Sequence, residues 1–182
     1  MLSDDAMYKR MVNGWRGGRK DGTVCGNGST IAHSLNVMAA LPQWAAKYGI
    51  RTVCDAGAGD LHWVRRVEWT VDYRAFDLIA RSDEVAPFDI TRDVLPKCDL
   101  ILCRMVLNHL DVERNRMALA RFRQSGKYLA ATHFQGEDLP QRSPQFMRLD
   151  LRHEPYNLGE PIEWVQDGHE DICRFALWAL NG

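Results

Sequence analysis

The chain lacks a cysteine framework. Its five cysteines (Cys25, Cys54, Cys98, Cys103 and Cys173) are odd in number, scattered and without a CxxC pair. That argues against a disulfide scaffold or a zinc knuckle. It also lacks any run of about 18 apolar residues, the length a helix needs to span a bilayer. The opening residues MLSDDAMYKR have no apolar stretch of the secretory kind. Charge of one sign is missing too: 23 Lys and Arg against 24 Asp and Glu leave a formal net charge of −1. The molecule as a whole therefore has no electrostatic preference for nucleic acid or anionic membrane. No internal repeat or low-complexity segment is present. These absences predict a soluble protein of a reducing, cytoplasmic setting, with no membrane partner.

At 182 residues the chain suits one domain better than two. Within it, Lys9, Arg10, Arg16, Arg19 and Lys20 fall close together with no acid between them. Gly14, Gly17, Gly18, Gly22, Gly26 and Gly28 mark residues 14–29 as a loop. Residues 1–29 thus read as a basic, glycine-rich arm or lid, and 30–182 as the core. Ser29 or Thr30 can cap a helix reaching about Leu41, with Ile31, Leu35 and Met38 at helical spacing. Pro42 then opens a second short helix, which Gly49 ends.

From Arg51 onward the pattern alternates. Residues 51–55 form a buried strand, followed by a helix-like segment from Leu61 to about Val67. Val71–Phe76, Val85–Phe88, Asp99–Met105 and Lys127–Phe134 are further strands, and Asp111 caps a helix to about Gln124. This alternation implies βαβ units around a parallel sheet with right-handed crossovers. Two strand-like runs at the end, 162–165 and 173–180, read as a hairpin joined through Gln166-Asp167-Gly168-His169. The expected fold class is α/β. It is a doubly wound, Rossmann-like, mostly parallel sheet of about seven strands with a C-terminal antiparallel hairpin and helices on both faces.

The most informative segment is VCDAGAGDLHWV, residues 53–64. Asp55 ends a strand, and Gly57 and Gly59 let the chain reverse and its backbone approach a ligand without Cβ atoms in the way. In open α/β sheets such a turn lies at the crevice beyond the carboxyl ends of the strands. A dinucleotide fingerprint would place its third glycine where His62 stands. Asp55, ahead of the turn, would also repel a pyrophosphate. A cationic amino-acid ligand suits this acid better.

The segment resembles the first motif of class I S-adenosylmethionine-dependent methyltransferases, two hydrophobic residues followed by Asp-x-Gly-x-Gly. GNGST at 26–30, DAGAGDLHW at 55–63, DLILCR at 99–104, NHL at 108–110 and EPYNLGEPI at 154–162 are similar to one branch of small single-domain members. The resemblance implies S-adenosylmethionine as cofactor. It implies cofactor roles for Asp55, Gly57, Gly59 and Asp60 at the turn, Asp77 at the ribose and Asp89 at the adenine. Arg104 would orient the cofactor carboxylate or the acceptor, and Gly28 and Ser29 belong to a segment closing over the site. Leu61 stands where a third glycine often falls in this superfamily.

His62, His109 and His133 follow strands one, four and five and are expected at one edge of the sheet. His109, then His133, are the candidate catalytic bases, since a neutral imidazole can take a proton near pH 7. A three-histidine metal site is conceivable from that convergence but has no further support, and no metal is expected. EPYN at 154–157 differs from the D/N-P-P-Y motif of amino-DNA methyltransferases because it follows the fifth strand rather than the fourth. The expected acceptor is a small molecule or saccharide, with nucleic acid second, acted on by a monomer or homodimer. A non-catalytic S-adenosylmethionine-binding partner or sensor is the alternative of another class.

Overall fold

Short apolar runs separated by acid- and glycine-rich turns assemble here into one sheet. The computed structural model describes residues 21–136 and 146–180, together with Asn13. The basic residues Lys9, Arg10, Arg16, Arg19 and Lys20 lie outside the described residues. The strands are β1 (Thr52–Ala56), β2 (Asp72–Asp77), β3 (Val85–Pro87), β4 (Cys98–Cys103), β5 (Gly126–Phe134), β6 (Glu163–Gln166) and β7 (Cys173–Ala179). They lie in the order β3-β2-β1-β4-β5-β7-β6. The first five run parallel. β7 is antiparallel to β5 and to β6, so the terminal hairpin closes the sheet with β7 on the inside.

Helix α1 (Ile31–Tyr48) covers one face and α2 (Val112–Ser125) the other. α1 buries Val37, Leu41 and Trp44 against Val53, Leu100, Leu102 and Phe175, and Trp44 stacks on Phe175 at 5.6 Å between ring centroids. α2 buries Ala118, Leu119 and Phe122 against Ile101, Leu129 and Trp178. Its N-cap is Asp111, as expected, whose carboxylate accepts the Arg114 N–H at 2.8 Å.

Three expectations need correction. Pro42 does not open a second helix: α1 runs through it without a break. Its missing N–H removes one backbone bond, but the buried stripe continues on both sides of it. Second, Leu61–Val67 is not an α-helix. Leu61 adopts a left-handed φ of 59°, and the segment makes only one 3₁₀ turn, Val64–Arg66. Third, neither Ser29 nor Thr30 caps α1 through its side chain. The Thr30 hydroxyl donates to the Asn27 carbonyl, and the Asp21 carboxylate accepts the Ile31 N–H at 2.6 Å.

At the amino edge of the sheet, Asp99 ties three strands together. It accepts the N–H groups of Arg51 and Thr52 and the Thr52 hydroxyl, and Lys127 Nζ sits 2.7 Å away. The Lys127 ammonium and these donors together hold the Asp99 carboxyl down at about 2, against some burial. A carboxyl depressed in the folded state contributes stability above its unfolded pKa near 4, and that contribution is lost as pH falls toward 2. Asp99→Asn is therefore expected to lower the melting temperature at pH 7 and to flatten its fall between about pH 4 and 2. Thermal unfolding of both proteins across that range checks this; parallel curves would remove Asp99 from the role.

Candidate functional site

The strand order places the reversal of winding between β1 and β4, which is where open α/β sheets form a crevice at their carboxyl edge. The glycine turn lies there. Gly57 and Gly59 both take positive φ, 111° and 62°, values costly for any other residue. The Gly57 and Ala58 N–H groups donate to the Phe76 carbonyl at 2.8 and 3.0 Å, which fixes the turn to β2. Here the space without Cβ atoms is filled by the protein's own side chains. A Cβ on Gly57 would meet Val106 Cγ2 at 2.2 Å, and one on Gly59 would meet Cys25 Sγ at 2.7 Å.

The acids stand at successive strand ends. Asp55 is buried and accepts the Tyr73 hydroxyl at 2.5 Å. Burial pushes its carboxyl up to about 7; the Asp77 charge adds to the rise, while the Tyr73 bond and Arg104 oppose it. Asp77, half-buried at the end of β2, accepts the Gly59 N–H at 2.8 Å and the Ile79 N–H at 2.9 Å. Asp89 lies just past β3. It accepts the Thr91 N–H and hydroxyl and pairs with Arg92 at 3.5 Å. Asp60 does not cap a helix. Its carboxylate accepts the Thr23 hydroxyl at 2.8 Å and the Val24 N–H at 2.7 Å, and so docks the segment 21–30 onto the glycine turn. In that segment Gly28 lies against Met105, whose Cγ would be 3.4 Å from a Cβ there. Ser29 closes a 3₁₀ turn, Asn27–Ser29, beside it.

Arg104 is engaged within the protein: its side chain is 3% exposed, paired with an Asp167 carboxylate that is 0% exposed. Nε and Nη2 lie 3.0 and 2.7 Å from Asp167 Oδ1. Nη1 donates to Ser34 Oγ at 3.0 Å and Nη2 to the His33 carbonyl. The Trp63 ring covers the group, its centroid 5.0 Å away. Asp167 Oδ2 in turn accepts the Thr132 hydroxyl at 2.7 Å. Asp167 was not picked out from the sequence, because a polar Asp-Gly turn ordinarily reads as solvent-exposed.

The three histidines part company. His133 lies one residue before the end of β5, is 1% exposed and meets the Trp178 ring edge-on at 5.1 Å between centroids. Burial pulls its pKa down to about 4, with Asp150 opposing the shift. Strand alternation turns it to the same face as Leu129 and Ala131, the α2 side of the sheet. His109 lies in the 3₁₀ turn Leu107–His109 past β4, half-exposed, its ring 5.5 Å from that of Phe146. His62 Nε2 is 3.2 Å from Asp21. Among the described residues no group of three His, Cys, Asp or Glu side chains could hold a metal ion. A different pair meets instead: His33 and His169, missed from the sequence, have ring centroids 4.3 Å apart. Of EPYN only Tyr156 joins the core, on the α2 side, while Glu154, Pro155 and Asn157 are exposed. No helix among the described residues is long and apolar enough to cross a membrane.

The order of the sheet, its antiparallel β7 and the acid-led glycine turn define a class of architecture: the chain has the fold of class I S-adenosylmethionine-dependent methyltransferases. Among solved structures it is similar to the magnesium protoporphyrin IX methyltransferase of Synechocystis PCC 6803 with bound S-adenosylmethionine, at TM-score 0.67 and 17% identity over 98% of each chain. It is similar to the N-methyltransferase NodS of Bradyrhizobium japonicum WM9 in complex with S-adenosylhomocysteine, at TM-score 0.67 and 14% identity over 96% of each chain. TehB of Haemophilus influenzae superposes at TM-score 0.58 and 15% identity over 78% of this chain, which spans 61% of the TehB chain. No protein-family model and no curated sequence matches the chain.

Removing one partner of the buried pair should be costly. Asp167→Ala strands the Arg104 charge and is expected to lower stability by about 3–5 kcal/mol. Thr132→Val, which removes the hydroxyl's bonds to Asp167 and to the Met105 N–H, should cost about 1–3 kcal/mol. Urea denaturation of both variants checks this, and equal losses would contradict the ranking.

Proposed function

We propose that this chain is a methyltransferase that binds S-adenosylmethionine at the glycine turn and methylates a small molecule. The observation that carries the reading is the row of carboxylates, Asp55, Asp77 and Asp89, at the ends of three adjacent parallel strands around a backbone turn with positive φ. Asp77 is suited to the ribose hydroxyls, because each of its oxygens keeps acceptor capacity beyond one backbone bond. Asp55, buried beneath the turn with its carboxyl raised to about 7, is the group that a cationic ligand would draw into its ionised form, and Tyr73 orients it. Asp89 is assigned to the adenine side and Asp60, with Gly28 and Ser29, to the segment that covers the crevice. Arg104 acts on the ligand only indirectly, by holding α1 and the β6–β7 turn against the end of β4.

When bound, S-adenosylmethionine supplies an activated methyl group, so this chain's residues mainly align the acceptor and exclude water. His109 is the proposed base for an acceptor that must lose a proton, being half-exposed on the turn past β4. His133 is released from that role, since its ring is buried and its basicity depressed. A small-molecule or saccharide acceptor remains the proposal. The neighbouring structures include a methyltransferase with bound 1,6-didemethyltoxoflavin and S-adenosylhomocysteine.

Calorimetry with S-adenosylmethionine and S-adenosylhomocysteine tests the cofactor reading, and absence of binding by both overturns it. Asp77→Ala is expected to weaken binding roughly 10- to 100-fold, as for loss of hydrogen bonds to a charged group. An unchanged affinity removes Asp77 from the ribose role. His109→Ala should leave that affinity within about twofold and reduce methyl transfer by roughly 10²- to 10⁴-fold in a labelled-methyl screen of metabolites and glycans.

A further inference from the structure

The backbone of the turn that carries His109 is fastened from three sides. Met105 takes a left-handed φ of 56° and its N–H donates to the Thr132 hydroxyl at 3.1 Å, so the chain reverses sharply as it leaves β4. Val106 then lies over the glycine turn, where a Cβ on Gly57 would meet its Cγ2 at 2.2 Å. From α2, Asn115 Nδ2 donates to the carbonyls of Leu107 and Leu110, each at 3.1 Å. Leu107 and Asn108 are each 1% exposed, and His109 is left half-exposed at the end of the turn. The turn is thereby held at a fixed place relative to the glycines.

Anchoring the backbone does not settle the torsions of the imidazole itself. A neighbour must do that, and Asn108 supplies one indirectly. Its carbonyl accepts the Met147 N–H at 2.8 Å and its Nδ2 donates to the Met147 carbonyl at 3.0 Å, so one asparagine holds both backbone polar groups of Met147. Two residues on, the Leu149 carbonyl accepts the Phe134 N–H at 2.8 Å, which ties the same segment to the end of β5. Phe146, next to the clamped residue, meets the His109 ring edge-on at 5.5 Å between centroids and the Phe134 ring at 5.8 Å. Asn108 Oδ1 is buried with no hydrogen-bond partner among the described residues, an unfavourable and uncommon state. Turning the amide over would set that oxygen against the Met147 carbonyl, acceptor against acceptor. The clamp on Met147 therefore fixes the amide, at the expense of its own second bond.

We propose that Asn108 is a positioning residue for methyl transfer: by clamping Met147 it seats the Phe146 ring against His109 and selects the imidazole orientation that meets the acceptor. The catalytic part of this assignment rests on the reading of His109 as base; the clamp itself does not. Asn108 acts through Phe146 and touches neither donor nor acceptor.

The test uses the full chain with Asn108→Ala, with Asn108→Ser should the alanine variant not fold, and with Phe146→Leu. The imidazole proton resonances of His109 are followed by NMR and assigned by their loss in His109→Ala, since an edge-on aromatic ring displaces the shifts of its neighbour. They are expected to move in the same direction in the Asn108 variants as in Phe146→Leu, although the Asn108 variants retain the phenyl ring. Affinity for S-adenosylhomocysteine should stay within about twofold in each, the sites being independent. Label transfer from S-adenosylmethionine to a fixed pool of metabolites and glycans should fall roughly 10- to 100-fold in the Asn108 variants and in Phe146→Leu, as for a misplaced group. Asn108→Ala made in His109→Ala should cause no further loss, because residues that act as a unit are not additive. Unmoved His109 resonances in the Asn108 variants, undiminished transfer by Phe146→Leu, or a full second loss in the double variant overturns the proposal. If the unmodified chain transfers no label while the resonances move as expected, the methyl-transfer reading falls with the catalytic assignment of Asn108, and the clamp stands.

Discussion

The carboxyl edge of this sheet depends on one buried ion pair, Arg104 with Asp167. Taking both charges out of water costs several kcal/mol each. The cost is offset only because each charge is surrounded by fitted partners. Arg104 has two contacts with the carboxylate, the Ser34 hydroxyl, the His33 carbonyl and the face of Trp63. Asp167 also accepts the Thr132 hydroxyl, which itself accepts the Met105 N–H. One contact thereby joins the end of β4, the first turn of α1, β5, the β6–β7 turn and the segment after the glycine turn. A hydrophobic substitute could hold these elements together, but without directional bonds it would not set their mutual positions.

Against that frame the glycine turn forms a surface shaped for close approach. Its backbone is bonded to β2, and its open side is met by Val106, Cys25 and, through Gly28, Met105. The docked segment 21–30 is held by Asp60 and Asp21, so the same short acids that shape the turn also seat its cover. A buried carboxyl raised to about 7 lies under the turn, and the cleft to one side is lined by both signs of charge, Asp60 with Arg65, Arg66 and Arg81.

Much of this was legible in the sequence because it follows from local rules. Strand runs such as DLILC and KYLAATHF are apolar enough to be buried on both faces, and their boundaries agree with the structure to within one or two residues. Asp111 is the N-cap of α2 because a short acid can satisfy the first free N–H groups of any helix. The errors arose where tertiary contacts overrode such rules. α1 continues through Pro42 because its apolar stripe is buried on both sides of the proline. Leu61 sits in a left-handed conformation, and no helix starts there. His133 stands one position inside the end of β5, where the strand bounds place it, and it is the packing against Trp178 of β7 that buries the imidazole.

Local pattern was enough for the mostly parallel sheet, the terminal hairpin and the acid-led glycine turn with acids after the next two strands. Each is a short-range pattern whose meaning rests on spacing of 2 or 3.6 residues and on the freedom of glycine. The packing of the whole chain turns Arg104 inward to Asp167, 63 residues away. It likewise decided that Asp21 caps α1, that His33 meets His169, and that three arginines share a cleft. Such partners are chosen by the order of strands in the sheet, and no local spacing encodes which turn will face which strand end.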